Sequence, residues 1–237
     1  LVSIAIIGLG RFGCRVLEEF EHIDADIIIV DKDREIVEKY KDKARDAYIT
    51  DAINDVSLKK IIPDDIDSVI IDLGNQLESS ILVTNYLHKM GVKRIIVKAL
   101  SDEHGEILKL VGATLVIYPD LDAAMRITPV IASSALFNYM QVSSRFIIAE
   151  VIVKDDLTGK TLAESKLRNT YNLNLIAYRK NPAEEFSFVL DPSFRFESDM
   201  RLLVAGSDSA MQKYLGEEKL SKQVKNKNFL SRLFIRK

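Results

Sequence analysis

The stretch that most limits what this chain can fold into lies at its front. The apolar run Val2–Ile7 leads into Gly8-Leu9-Gly10-Arg11-Phe12-Gly13, and then into a segment where Phe12, Val16, Leu17 and Phe20 share one helical face. Strand, glycine turn and helix follow from that pattern. The first glycine permits the tight turn, the second lets backbone approach a pyrophosphate, and the third lets helix and strand pack closely. The glycine spacing alone is a weak signal. Here Asp31 follows about 20 residues on, closing a second apolar run at 27–30. A carboxylate at that place suits a free ribose 2'-hydroxyl and repels a 2'-phosphate, which favours NAD or a simple adenine nucleotide over NADP.

Short β-branched runs recur at 2–7, 27–30, 47–50, 68–72, 94–98 and 114–118. Between them lie helical spacings such as Ile36/Val37/Tyr40, Leu58/Ile61, Ile81/Leu82/Asn85/Tyr86/Met90 and Ile107/Leu108/Val111. Alternating strands and helices with nearly all-apolar strands predict an α/β fold, a Rossmann-like doubly wound parallel sheet buried on both faces. A ligand of such a sheet lies across the carboxyl ends of its strands. Each end offers a candidate contact: residues 8–13, then Asp31 with Lys32, then Thr50-Asp51-Ala52, then Asp72-Leu73-Gly74-Asn75, then Lys98. Arg11 stands inside the loop, where its fixed charge can reach terminal phosphates or remain solvated; it tilts the expected ligand toward ATP or ADP.

Beyond Pro119 a long helix is expected from Asp120 to about Met140, with Pro129 breaking or kinking it near Thr128. Asp120 and Asp122 suit the positive end of that helix, and such carboxylates also hold Mg²⁺ together with phosphate oxygens. The pattern then changes to expected strands at 146–153, 174–179, 186–190 and 201–206, with short helices at 162–168 and 209–215. The expected layout is a nucleotide-binding lobe at 1–118, a crossover helix and hinge at 119–143, a small α+β domain at 144–216, and a tail at 217–237.

Charge separates the tail from the body. Seven basic residues and no acid lie between Lys219 and Lys237, so the preceding 218 residues carry −9 of a total of −2. An acidic body argues against nucleic-acid binding, while the tail suits anionic lipid, a partner protein or plain disorder. A lone cysteine, Cys14, forms no internal disulfide and fits a reducing cytoplasm. It stands in the first helical turn, where a thiol is either activated by its surroundings or buried as packing. No apolar stretch reaches a membrane span and the chain enters directly into a strand, so a soluble cytoplasmic protein is expected.

Catalysis is not expected. Hydride transfer needs an acid or base against a substrate carbonyl, and His22, His88 and His104 fall on separate helical segments. Neither a nucleophile elbow nor a metal-ligand spacing occurs.

In combination these segments resemble the RCK family, regulators of potassium conductance of the TrkA or KtrA type. The residues that carry the likeness are Ile6-Ile7-Gly8-Leu9-Gly10-Arg11-Phe12-Gly13, Val30-Asp31-Lys32-Asp33, Thr50-Asp51-Ala52, Val97-Lys98-Ala99, Leu110-Val111-Gly112-Ala113-Thr114 and Ile117-Tyr118-Pro119-Asp120. The resemblance implies a cytoplasmic subunit, peripheral to the inner face of the membrane, that gates a separate potassium-translocating protein. It implies homodimers and a homo-octameric ring whose shape responds to an adenine nucleotide, ATP/ADP or NAD(H), with Mg²⁺ accompanying ATP. By position, Gly8, Gly10, Arg11 and Gly13 would hold phosphates, Asp31 the ribose, Asp51 with Ala52 the adenosine side, and Lys98 would stand near the phosphate or nicotinamide end, with Leu9, Phe12, Lys32, Leu73, Gly74 and Asn75 as further cofactor-binding residues. Asp120 takes the place of a longer metal-binding glutamate. Arg168, Asn174 and Pro192 fall where some members bind a cyclic dinucleotide, although residues 181–185 lengthen the adjoining hairpin. A small NAD-dependent oxidoreductase or redox sensor is the alternative.

Overall fold

Apolar residues on both sides of a strand require cover on both sides, and the arrangement of the first half follows from that requirement. The structure is a computed structural model describing residues 1–189 and 191–216; the basic tail, with the lipid contact expected of it, and Leu190 lie outside the described residues. Two compact units divide between Asp120 and Leu121.

The first unit runs β1 (Val2–Ile7), α1 (Arg11–Glu19), β2 (Ala25–Asp31), α2 (Arg34–Tyr40), β3 (Asp46–Ile49), α3 (Asp55–Ile61), β4 (Ser68–Ile71), α4 (Leu77–Lys89), β5 (Ile95–Lys98), α5 (Asp102–Leu110) and β6 (Leu115–Ile117). Its six strands are parallel in the order β3-β2-β1-β4-β5-β6. Ile4 and Ile6 of β1 enter one core with Leu17, Val37 and Tyr40, while Ala5 and Ile7 enter another with Leu58, Val83, Leu87 and Leu108. The period-two alternation of β1 thus serves both faces. Helix starts are set by side chains: Asp33, Asn54 and Ser101 accept the N–H groups of Glu35, Ser57 and His104, capping α2, α3 and α5. The connections leave β1 and β4 in opposite directions, opening a crevice at their carboxyl ends.

The next element, α6 (Pro119–Ala132), starts where the units divide. It contains Pro129 in its last turn and runs on past Thr128 to Ala132, so of the expected kink or break the break does not occur. Only one backbone bond is lost there, and Pro119 pre-sets φ at the helix start. Nor does the helix reach Met140. Residues 136–143 form β7 (Leu136–Ser143), which pairs antiparallel with β8 (Phe146–Ile152) across a turn at Ser144-Arg145. Leu136 and Met140 stand four apart and suit a helix as well as a strand, so periodicity alone does not decide. The ladder to β8 and the burial of Leu136 and Tyr139 do.

The second unit continues with α7 (Leu162–Ser165), α8 (Leu167–Tyr171), β9 (Asn174–Arg179), β10 (Ser187–Phe188), β11 (Arg201–Gly206) and α9 (Asp208–Leu215). Its antiparallel order is β10-β9-β11-β8-β7. The single helix expected at 162–168 is two, because Lys166 takes a left-handed φ of 48°. The Ser165 hydroxyl accepts the Leu167 N–H at 3.2 Å and stabilises that break. The expected strand at 186–190 shrinks to two residues; the loop before it is tied back by Arg179, which donates to the Pro182 carbonyl at 2.8 Å.

Candidate functional site

The glycine loop is held from two sides. From β2, the Asp31 carboxylate accepts the N–H groups of Leu9 at 2.6 Å and Asp33 at 2.9 Å. From the end of β4, Asp72 reaches across the crevice, and its Oδ2 accepts the N–H groups of Phe12 at 3.1 Å and Gly13 at 3.0 Å. Its other oxygen faces Lys98 Nζ at 3.2 Å. Ile71 and Val97 are the last residues that β4 and β5 pair with each other, so Asp72 directly follows β4 and Lys98 is the final residue of β5. The Asp72 side chain is fully buried and that of Lys98 is 16% exposed.

The glycines fit this arrangement. Gly8 has φ +87°, and a Cβ there would collide with the Asp72 carbonyl. A Cβ on Gly10 would strike the Asp72 carboxylate, and one on Gly13 the Gly8 carbonyl oxygen. The close approach that the second glycine allows is therefore made by a side chain of the protein itself. Following the backbone donors through the loop gives the same result. Gly8 N–H bonds Val30 O at 2.8 Å, Leu9 bonds Asp31, Phe12 and Gly13 bond Asp72, and Cys14 bonds Gly10 O at 2.9 Å. Gly10 and Arg11 are left as the loop N–H donors without an acceptor among the described residues.

A cavity of about 230 Å³ opens beside the loop. Of the residues expected from sequence, Gly8, Leu9, Gly10, Asp31, Lys32, Thr50, Asp51, Ala52, Asp72, Leu73 and Gly74 line it; Val30, Asp33, Ile36, Gln76 and Ser79 line it too. Arg11 is exposed at the first position of α1, Phe12 packs partly into the β1 core, Gly13 is buried against the loop, and Asn75 is exposed before α4. Lys98 does not line the cavity and meets it through Asp72. The lining carries the carboxylates of Asp31, Asp33, Asp51 and Asp72 against the single ammonium of Lys32. Asp31 uses one lone pair on each oxygen for Leu9 and Asp33, which leaves acceptors for a ribose hydroxyl. The residues present fit an adenine nucleotide: two free donors, a carboxylate able to accept from a ribose, and apolar side chains of Leu9, Val30, Ile36 and Leu73 in the lining.

Asp72 is the residue that sequence reasoning undervalued, reading it only as one candidate contact at a strand end. The available signal was a carboxylate directly following an all-apolar central strand, beside a lysine at the equivalent place on the next strand. Cys14 is packing: its Sγ donates to the Leu9 carbonyl at 3.2 Å, and burial pushes the thiol pKa up, which removes the activated-thiol alternative. His104 is buried, with the Leu100 N–H directed at Nδ1 (3.3 Å) and Ser80 Oγ 2.9 Å from Nε2. Burial pushes its pKa down. Asp120 is exposed, and no group of three His, Cys, Asp or Glu side chains able to hold a metal occurs among the described residues. Arg168, Asn174 and Pro192 are exposed on α8, at the start of β9 and in the loop before β11. None of them lines a cavity of about 310 Å³ in the second unit, bordered by residues 152–155, Thr158, Ser198 and Asp199. Among the described residues, no helix is long and apolar enough to cross a membrane.

Comparison with known proteins supplies the context for this geometry. The TrkA-N domain family matches residues 4–119 and the TrkA-C domain family matches residues 148–216. The Ktr system potassium uptake protein C of Bacillus subtilis (strain 168) is 32% identical over 178 residues, covering 75% of this chain and 80% of that protein. The Ktr system potassium uptake protein A of the same strain is 27% identical over 177 residues, with coverage of 75% and 80%. Among solved structures, the GsuK RCK domain superposes with a TM-score of 0.62 at 19% identity, over 90% of this chain and 47% of that one. The GsuK channel bound to NAD gives 0.62 at 19%, over 90% and 39%. The chain thus spans less than half of those structural neighbours, and the likeness to them is one of fold.

Proposed function

The chain belongs to the TrkA family, carrying its amino- and carboxyl-terminal domains in order, and from that premise we propose that it is a nucleotide-binding regulatory subunit of a potassium-transport system. The observation that carries this reading is the crevice at the ends of β1 and β4. It offers two unused loop donors and a carboxylate with free lone pairs, in a chain related to potassium uptake proteins. The ligand is an adenine nucleotide, ATP/ADP or NAD(H). Gly10 and Arg11 hold its phosphates, Asp31 its ribose, and Asp51 with Ala52 its adenosine side.

In this reading the subunit is cytoplasmic and sits against the inner face of the membrane beneath a separate potassium-translocating protein. It forms homodimers and an octameric ring. A feature of α6 supports assembly: none of its residues is buried, although Leu121, Ile127 and Ile131 are apolar and Ile131 is 77% exposed. Mg²⁺ accompanying ATP would meet Asp120, and a cyclic dinucleotide would meet Arg168, Asn174 and Pro192. The subunit is not an enzyme. Kinship with the Ktr potassium uptake proteins supports that reading.

The ligand acts by preference between two ring shapes, since equal binding to both shifts nothing. Moving such an equilibrium from 1:99 to 99:1 takes about 5.5 kcal/mol, or about 0.7 kcal/mol from each of eight subunits moving together. A thermal-shift panel of ATP, ADP, NAD⁺ and NADH, run beside light scattering on the purified chain, tests the reading. Stabilisation by at least one nucleotide and a mass above the monomer are expected. A monomer that ignores all four compounds, or steady oxidation of NADH, overturns it.

A further inference from the structure

We propose that Asp72 selects the ligand class, so that the loop accepts a dinucleotide pyrophosphate capped at both ends and excludes nucleotides ending in a free phosphate. The inference rests on the nucleotide reading above and goes further, because the distinction is built from this chain's own side chain. At the start of a helix, the first N–H groups and the helix dipole form a place for an anion. Here the Phe12 and Gly13 N–H groups already hold the Asp72 carboxylate, buried and braced by Lys98. What remains for an incoming phosphate is the N–H of Gly10 and of Arg11. Gly10 is the residue whose missing Cβ makes room for that carboxylate.

A phosphate bonded at Gly10 and Arg11 therefore lies against a buried negative charge. A phosphate esterified on both sides carries one charge, whereas a terminal phosphate carries nearly two at neutral pH. It also presents an extra oxygen that needs a donor. Lys98 is engaged by Asp72, and the carboxylates of Asp31, Asp33 and Asp51 around the cavity outnumber the cations left to serve that oxygen, the Lys32 ammonium in the lining and the exposed Arg11 guanidinium. NAD(H) and ADP-ribose satisfy the constraint; ADP and ATP do not. This reverses the tilt toward ATP that Arg11 alone suggests.

ADP and ADP-ribose make the clean comparison, because they differ only in whether the second phosphate is capped by a ribose. Isothermal titration of the full chain with ADP, ADP-ribose and NAD⁺ is expected to show ADP-ribose and NAD⁺ binding at least about tenfold tighter than ADP. In Asp72→Asn and Asp72→Ala the gap between ADP-ribose and ADP should close to under about threefold, mainly because ADP gains. The wild-type ratio tests the proposal without any variant, and circular dichroism of both variants confirms that they are folded. Equal wild-type binding of ADP and ADP-ribose overturns the proposal, as does an unchanged ratio in a folded variant, and either leaves the nucleotide reading intact. Failure of all three compounds to bind overturns both.

Discussion

Replacing Lys98 with methionine isolates the charge at the centre of the crevice. At the 3.2 Å between Lys98 Nζ and Asp72 Oδ1, two unit charges attract by about 5 kcal/mol at an effective dielectric constant of about 20. Removing one partner of a buried pair costs about 3–5 kcal/mol, because the other charge stays in the interior. Asp72 keeps its bonds to Phe12 and Gly13, so the low end applies, about 3 kcal/mol. A chain of this size loses about 2–4 °C per kcal/mol, which places the drop in Tm at about 6–12 °C. The protein has no tryptophan, so far-ultraviolet circular dichroism during urea and thermal unfolding is the appropriate readout. Lys98→Met combined with Asp72→Asn removes the stranded charge and should recover about 2 kcal/mol relative to additivity. A loss under about 1 kcal/mol in the single variant, or strict additivity in the double one, would show that the pair is solvated and that the reasoning from burial is wrong.

Three further outcomes follow from the same structure. Gly8→Ala places a Cβ on backbone at φ +87° and against the Asp72 carbonyl; a loss of about 2–3 kcal/mol in urea unfolding is expected, and wild-type stability would exclude that loop geometry. His104 has a pKa pushed below its ordinary 6.5 by burial. Its neutral form is thus favoured in the fold, and stability is lost as pH falls through 6.5, where the unfolded chain takes up the proton first, at up to about 1.4 kcal/mol per pH unit. His104→Gln should flatten that slope between pH 7 and pH 5 relative to wild type, and identical slopes would place the ring in solvent. NADP should bind at least about tenfold more weakly than NAD if Asp31 holds the ribose as proposed; comparable affinities in titration would remove Asp31 from that role.

The alternation of β1 and the Gly8 to Gly13 spacing made the doubly wound sheet and the place of its crevice legible, since both are local patterns with one tertiary solution. The antiparallel second unit was legible in outline from strands 146–153 and 201–206. What was not legible depended on partners distant in sequence. Residues 136–143 have an apolar spacing that suits either helix or strand, and only pairing with β8 decides. The break at Lys166 depends on one hydroxyl bond from Ser165. The role of Asp72 needed the approach of a strand end to a loop about 60 residues away, the separation its bonds to Phe12 and Gly13 span.

A phosphate-binding loop ordinarily depends on its guest to quiet the dipole of the helix behind it. In this protein a resident carboxylate, that of Asp72, accepts two of that helix's first amide protons. The start of α1 is thereby held from the end of β4 by the protein's own side chain, so the shape of the loop is tied to the packing of the parallel sheet.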